Sequence, residues 1–168
     1  RSRGGLRSTT LLTKLFLALF GNGPWEVIPR VPYLIFEEAS PINYRMLAQW
    51  VTPSLMPIAY LRKHKRVRHA EGLFRLDELK REGGGASEVF NPQDWTLTAL
   101  ANMPTSLSDH ALLRKLLGLQ RHEGSWGGYT LSTLLTIMVL DDMKADPVAI
   151  RRGLRYLNNH YVGEQQPY

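Results

Sequence analysis

The 168-residue sequence contains no cysteine, which excludes disulfide bonds, thiolate metal sites and cysteine nucleophiles together. It also lacks an apolar run of about 18 residues, the length a helix needs to cross a bilayer. The stretch LLTKLFLALFG is interrupted by Lys14 and has no small-residue cleavage site, so it reads as a short helix rather than a secretory signal. Long period-two alternation is missing, and with it any convincing strand. There is no Ser-His-Asp set and no metal-ligand set. His64 and His69 lie in a charged run, and His110, His122 and His160 fall at helix margins, where surface histidine is the default reading. What remains is the composition of a folded globular domain, 43% hydrophobic and 21% charged. A compact domain of this length buries roughly 70% of the surface its unfolded chain exposes.

The charge is one-sided. The formal balance is +6, and residues 62 to 69, RKHKRVRH, hold five of the 21 Lys and Arg. Such a cluster attracts phosphates of nucleic acid, lipid headgroups or a diphosphate substrate, although a solvated loop has the same composition. No helix-turn-helix pattern, zinc ligand or aromatic RNA-binding signature accompanies it, so nucleic acid is not an expected partner. The first residue is Arg1 rather than Met, which is how a segment of a longer reading frame would begin.

Ser8, Thr9 and Thr10 offer N-caps to Leu11, Leu12, Leu15, Phe16 and Leu19, whose spacing makes one helical face, and Gly21 can end that helix. Prolines 24, 29, 32 and 41 then forbid a continuous helix. The loop between them carries Trp25, Val27, Ile28, Tyr33, Leu34, Ile35 and Phe36, too many apolar side chains to leave in water unless they pack inward or enter something apolar. Helical spacing returns from Asn43 to Leu61, with Pro53 and Pro57 predicting two pieces that meet near Thr52. Residues 62 to 94, with GGG at 83 to 85, read as a linker holding at most one short helix. Further helices are predicted from Trp95 to Ala101, from a Ser106 or Ser108 cap to Arg121, over Tyr129 to Leu140, and after Asp146-Pro147, the last with an Ile150, Leu154, Leu157, Tyr161 stripe. The expected organisation is an amino-terminal region of helix, apolar proline loop and kinked helices (1–61), the linker (62–94) and a helical region (95–168). The class is all-α, with helices paired through short loops.

Between two of these helices stand Leu116, Gln120, Gly124 and Trp126. Gln120 has donor and acceptor atoms for the exposed backbone groups of a neighbouring helix end, and Trp126 can cover its amide. Gly124, Gly127 and Gly128 permit the reversal, because glycine tolerates positive φ. The set makes sense as a helix-to-helix corner.

This Q-x-x-x-G-S-W-G pattern resembles the QW repeat of the squalene-hopene and oxidosqualene cyclases, the class II terpene cyclases; related barrels also occur in protein prenyltransferase β subunits. GGLRSTTLLTKLFLALFGNGPWEVIPRVP and the following PINYRMLAQW are similar to cyclase segments in the same order. The resemblance runs from about Gly4 to about Tyr156, in proteins several times longer. Phe16 stands where many cyclases have Trp, and QWVT where they have SWAR, so Trp50 is kept and Thr52 replaces an Arg. The resemblance implies a fragment of an α/α-barrel (an α6-α6 toroid) and a metal-free, proton-initiated polycyclisation of a linear isoprenoid such as squalene, with no cofactor.

In that family the proton comes from a D-x-D-D aspartate, and Val139-Leu140-Asp141-Asp142 lacks the first acidic position. Asp141 and Asp142 are therefore read as structural, and no catalytic residue is assigned to this chain. The resemblance implies a substrate cavity lined by Phe16, with Phe20 near its access channel and Trp50 beside them. It implies membrane-contact positions at Trp25, Ile28, Tyr33, Leu34, Ile35 and Phe36, a monotopic, membrane-associated location on the cytoplasmic face, and the remainder of the same chain and a homodimer as further partners. The alternative is a non-catalytic α/α-repeat interaction or membrane-associated scaffold module that keeps the corner and lacks the acid.

Overall fold

The computed structural model describes residues 10–38, 40, 51–68 and 107–163. Among these the protein is all-helical: α1 (Leu11–Leu19), α2 (Thr52–His64), α3 (Asp109–Gly118), α4 (Thr130–Asp142) and α5 (Pro147–Gly163), with 3₁₀ turns at Trp25–Val27 and Tyr33–Phe36. The expected helix at Trp95–Ala101, Trp50 and most of the predicted linker lie outside the described residues.

The chain sorts into two units. The described part of the first is residues 10–30 and 62–68; that of the second is 31–38, 40, 51–61 and 107–163. The division falls within the predicted 1–61 region, and the predicted linker begins inside α2, whose last three residues are Arg62, Lys63 and His64.

In the first unit, Thr10 caps α1 by accepting from the Thr13 amide at 3.3 Å. The other end closes as a Schellman motif: Gly21, at φ 74°, donates to Ala18, and Asn22 donates to Leu17 at 2.7 Å. Leu15, Ala18 and Leu19 are the buried residues of α1. The basic run is tied down locally. The Arg68 amide donates to the Leu19 carbonyl at 2.7 Å, Lys65 pairs with Glu26 at 2.7 Å, and Arg62 Nε donates to the Ile28 carbonyl at 2.7 Å.

In the second unit, α2 starts at Thr52 with Pro53 in its first turn, where a missing N–H costs nothing. It continues through Pro57, which forgoes one intrahelical bond. Ser108 caps α3 through the Ala111 amide at 3.2 Å, and Asp146 caps α5 through the Val148 amide at 2.8 Å, ahead of Pro147. Helix α3 stops at Gly118, three residues short of the predicted Arg121, because residues 119–126 are drawn into the corner.

The pairing of α4 with α5 forms the best-defined core, with Trp126, Ile137, Leu140 and Ala149 at its centre and Leu113, Leu117, Leu119, Ile150 and Leu157 around it. The inward line of α5 is Ala149, Gly153 and Tyr156, while Leu154 is half exposed. The predicted stripe is rotated by about one position for a steric reason. A Cβ on Gly153 would lie 2.9 Å from Ile137 and 3.0 Å from the Trp126 ring, so the helix turns its glycine to the indole.

Candidate functional site

The corner is built in the second unit from both of its flanking helices. Trp126 is fully buried, and its indole Nε1 donates 2.7 Å to the Leu116 carbonyl in the last turn of α3, which also accepts from the Leu119 amide at 3.1 Å. Gln120 sends its amide NH₂ to two carbonyls, Gly124 at 3.1 Å and Ala149 in the first turn of α5 at 2.9 Å. An isolated antiparallel bridge joins Gln120 to Trp126, and the Arg121 amide donates to Ser125 at 2.9 Å. One glutamine thus ties the turn to the second helix beyond it, and one indole ties it to the helix before.

Glycine is required at two points. Gly124 has φ 99°, and a Cβ there would lie 2.3 Å from the Arg152 carbonyl oxygen of α5. Gly127 has φ 71°, and its Cβ would lie 2.8 Å from Pro53 in α2.

Several partners have no counterpart in the predicted set. Trp126 donates its amide to Thr133 Oγ1 at 3.0 Å, and the Ser132 hydroxyl makes a short hydrogen bond to the Trp126 carbonyl. Arg152 Nη2 donates to the Arg121 and His122 carbonyls, each at 3.0 Å, and the Tyr156 hydroxyl to the Gly128 carbonyl at 2.9 Å. The local signal for the first two is the Ser132-Thr133 pair in the first turn of α4, where hydroxyls serve backbone groups. Glu123 is exposed, and the Ser125 hydroxyl, 2.7 Å away, holds its carboxyl below the usual range.

The aspartate pair is placed by its contacts. Asp142 accepts a 2.8 Å hydrogen bond from the Tyr60 hydroxyl of α2, and Tyr60 is buried. A second pair has the same form: the Tyr33 hydroxyl donates to Asp109 Oδ1 at 2.9 Å. Burial, and then the Asp109 carboxylate, push the Tyr33 phenol well above its ordinary pKa. Both carboxylates accept from a buried phenol and fasten one helix to another segment of the second unit. Among the described residues no group of three His, Asp or Glu is arranged to hold a metal ion.

Of the cavity candidates, Phe16 is half-buried and Phe20 is 42% exposed. Their rings stack with centroids 6.4 Å apart and planes 9° apart. Leu12 is also exposed, and Leu12, Phe16 and Phe20 recur every four residues as an apolar stripe along α1 that borders the buried line of Leu15, Ala18 and Leu19. Trp50 lies outside the described residues.

The membrane-contact candidates divide sharply. Trp25, Ile28, Tyr33 and Phe36 are buried; Tyr33 and Phe36 pack edge to face at 6.4 Å. The physical reason is that the 3₁₀ turns fold Trp25, Tyr33 and Phe36 inward and leave Val27, Leu34 and Ile35 half-buried. No helix among the described residues is long and apolar enough to cross a membrane.

Comparison with known proteins follows the same lines. The model of the family described as the squalene-hopene cyclase N-terminal domain matches residues 1–166. The squalene-tetrahymanol cyclase of Tetrahymena thermophila is 32% identical over 148 residues, which is 86% of this chain and 22% of that protein. The squalene-hopene cyclase of Alicyclobacillus acidocaldarius is 26% identical, over 90% of this chain and 27% of that protein. A terpene cyclase-glycosyl transferase fusion protein of Humicola fuscoatra is 24% identical, over 98% of this chain and 15% of its own length. The chain therefore spans between 15% and 27% of these relatives.

Proposed function

The chain belongs to the squalene-hopene cyclase family, within its N-terminal domain, and on that premise we propose that it is part of an enzyme that cyclises a linear isoprenoid such as squalene by proton-initiated polycyclisation. The observation that carries this reading is the family match over residues 1–166, nearly the whole chain. The role of the chain's own residues is to shape and stabilise, because the sequence holds no D-x-D-D acid. The remainder of the protein supplies the acid in this reading.

Cyclisation passes through carbocations that water would quench, so the enzyme must present walls that are apolar yet electron-rich. An aromatic face meets both needs, since its quadrupole attracts a cation without offering a nucleophile. The stacked Phe16–Phe20 pair is the group in the first unit with that character, and we assign it to the cavity wall and its approach. The Gln120–Trp126 corner never touches substrate; it fixes the packing of α3, α4 and α5 that the domain requires.

A membrane-associated, monotopic location on the cytoplasmic face is the second half of the proposal. Leu34 and Ile35, the half-buried residues of the second 3₁₀ turn, suit an apolar contact at the edge of a bilayer. The surface partner would be lipid, and the substrate would arrive from it.

The test is to purify the full-length protein, incubate it with squalene in detergent and resolve the products by gas chromatography. A polycyclic product is expected from the parent. Phe16→Ala should change product ratios or rate at near-parental thermal stability, and Gln120→Ala should lower stability with the product pattern intact. The reverse pattern would overturn both assignments. A folded protein that converts neither squalene nor other linear isoprenoids would favour the scaffold alternative.

A further inference from the structure

Helix α5 balances none of its own charges. Across its 17 residues it holds Arg151, Arg152 and Arg155 and no carboxylate. Acidic and basic side chains three or four residues apart support an exposed helix, whereas like charges at that spacing oppose it. Arg151 and Arg155 stand at that spacing, as neighbours on the helix surface. The helix dipole offers them no relief, because it favours cations in the last turn and neither lies there. Arg152 differs, since its Nη2 serves the Arg121 and His122 carbonyls. Among the described residues Arg151 and Arg155 have no hydrogen bond and no ion pair, and both are exposed.

The carboxylates at the corner and at the start of α5 are committed elsewhere. Glu123 is held by Ser125 at 2.7 Å and His122 at 3.2 Å, and Asp146 caps the helix through the Val148 amide at 2.8 Å. At about 3.6 residues per turn, Arg151 and Arg155 point between Val148 on one flank and Leu154 on the other. Those two side chains are 53% and 50% exposed. A helix that lies on a bilayer leads with its apolar stripe and keeps its cations toward the polar side. On α5 the cations lead and the apolar side chains flank them. That order fits a protein partner whose carboxylates meet the guanidiniums while its apolar side chains close over Val148 and Leu154.

The opposite side of α5, through Ala149, Gly153 and Tyr156, is already packed. Stacked helix pairs bury each unit between its neighbours, and this chain spans only 15% to 27% of the relatives described above. We propose that the outer face of α5, led by Arg151 and Arg155, docks an acidic helix carried by the remainder of the protein, with carboxylates at the matching four-residue spacing. The docking rests on the reading of this chain as part of a longer cyclase, and it uses no residue assigned to the cavity or the corner.

The experiment uses the full-length protein. Arg151→Lys and Arg155→Lys each place an amine on this face, and Arg114→Lys does so at an exposed position of α3 as control. A carbodiimide joins an amine to a carboxylate only where the two are in contact, and peptide mass mapping identifies both ends. An isotope-labelled copy mixed in separates links within one polypeptide from links between two. The expected result is a link from position 151 or 155 to an Asp or Glu beyond residues 1–168 of the same polypeptide, absent from Arg114→Lys. A link confined to residues 1–168, a link between two copies, or no link beyond the control overturns the proposal. Labelling with an arginine-directed dicarbonyl tests the bilayer. Protection of both arginines without lipid supports docking, and protection that appears only with anionic vesicles overturns it.

Charge reversal tests the same face by the sign of its effect. If the pair is only solvated, Arg155→Glu supplies the carboxylate that the helix lacks, and the melting temperature holds or rises. Against an acidic partner the same change sets like charges face to face, so the full-length protein should melt lower by on the order of 2 °C, less at high salt. Squalene turnover is read separately. A link in a protein without turnover leaves the docking standing and sinks the cyclase reading, and turnover without the link does the reverse.

Discussion

The corner of the second unit and the α1 face of the first solve opposite problems. At the corner, Gln120, Trp126, Ser132 and Arg152 all donate into named backbone carbonyls, and Trp126 is fully buried. In the first unit, Phe20 is 42% exposed beside the half-buried Phe16. Saturated polar groups around a buried ring fix a shape, and further ligands have nothing to add there. Aromatic faces left open to solvent stabilise the fold less than a buried ring does. On the proposed reading, the first region serves structure and the second serves the substrate.

The sharpest way to break this contrast is to empty the corner. Trp126→Ala removes a buried ring and its bond to Leu116, and about 3–5 kcal/mol of stability should go with it. Urea unfolding is the measurement; a loss below about 1 kcal/mol would mean the corner is not a structural centre. Gly124→Ala follows, at about 2–3 kcal/mol. Its Cβ would meet the Arg152 carbonyl oxygen at 2.3 Å while the backbone is held at φ 99°, so α5 must retreat. Gln120→Ala costs less, about 1–2 kcal/mol, because it removes two part-buried hydrogen bonds and no packed ring. If Gln120→Ala proved as damaging as Trp126→Ala, the ranking of ring over amide would be wrong.

Much of this region was legible because its signals are local. Thr10, Ser108 and Asp146 cap helices from the sequence position where a cap belongs, and Gly21 ends α1 with the φ that glycine allows. The Gln-Gly-Trp spacing marks a corner for the same reason, since its partners lie within a few turns of chain. Ala149, which receives the second Gln120 bond, is 29 residues away and was not legible. Nor was the Tyr33–Asp109 bond across 76 residues, or the inward turn of Trp25, Ile28 and Phe36. An apolar loop has one composition whether it faces lipid or its own core; only packing distinguishes the two. The orientation of α5 was misread by about one position for a related reason, since apolar periodicity favours Leu154 and cannot weigh the close approach that Gly153 permits.

The Tyr33–Asp109 pair gives a pH test of the second unit. Tyr33→Phe should cost about 1 kcal/mol at pH 8 through the lost hydrogen bond to a carboxylate. Burial raises the Tyr33 pKa in the folded protein above the value near 10 of the unfolded chain. Above pH 10 the unfolded chain therefore releases a proton that the folded one keeps, and stability falls as pH rises. The contribution is fully present below about pH 10 and is lost on going above it. A phenylalanine has no proton to release, so the gap between parent and variant should close from pH 8 to pH 11. A gap that stays constant would show that Tyr33 ionises as freely in the folded protein as in water.

The smallest effect on stability should accompany the largest effect on chemistry. Phe16→Leu keeps an apolar side chain of similar reach in α1 and removes the ring that stacks on Phe20, so its stability cost should stay under about 1 kcal/mol. What it removes is the electron-rich face. If that face stabilises a cation during cyclisation, the full-length Phe16→Leu variant should release a larger share of incompletely cyclised product from squalene while melting within a few degrees of the parent. Phe20→Leu is the control within the same pair: it breaks the same stack from the more exposed side and should alter products less. A product pattern unchanged by Phe16→Leu would return Phe16 to ordinary packing, and an equal change from both variants would mean the stacked pair, rather than the Phe16 face, sets the outcome.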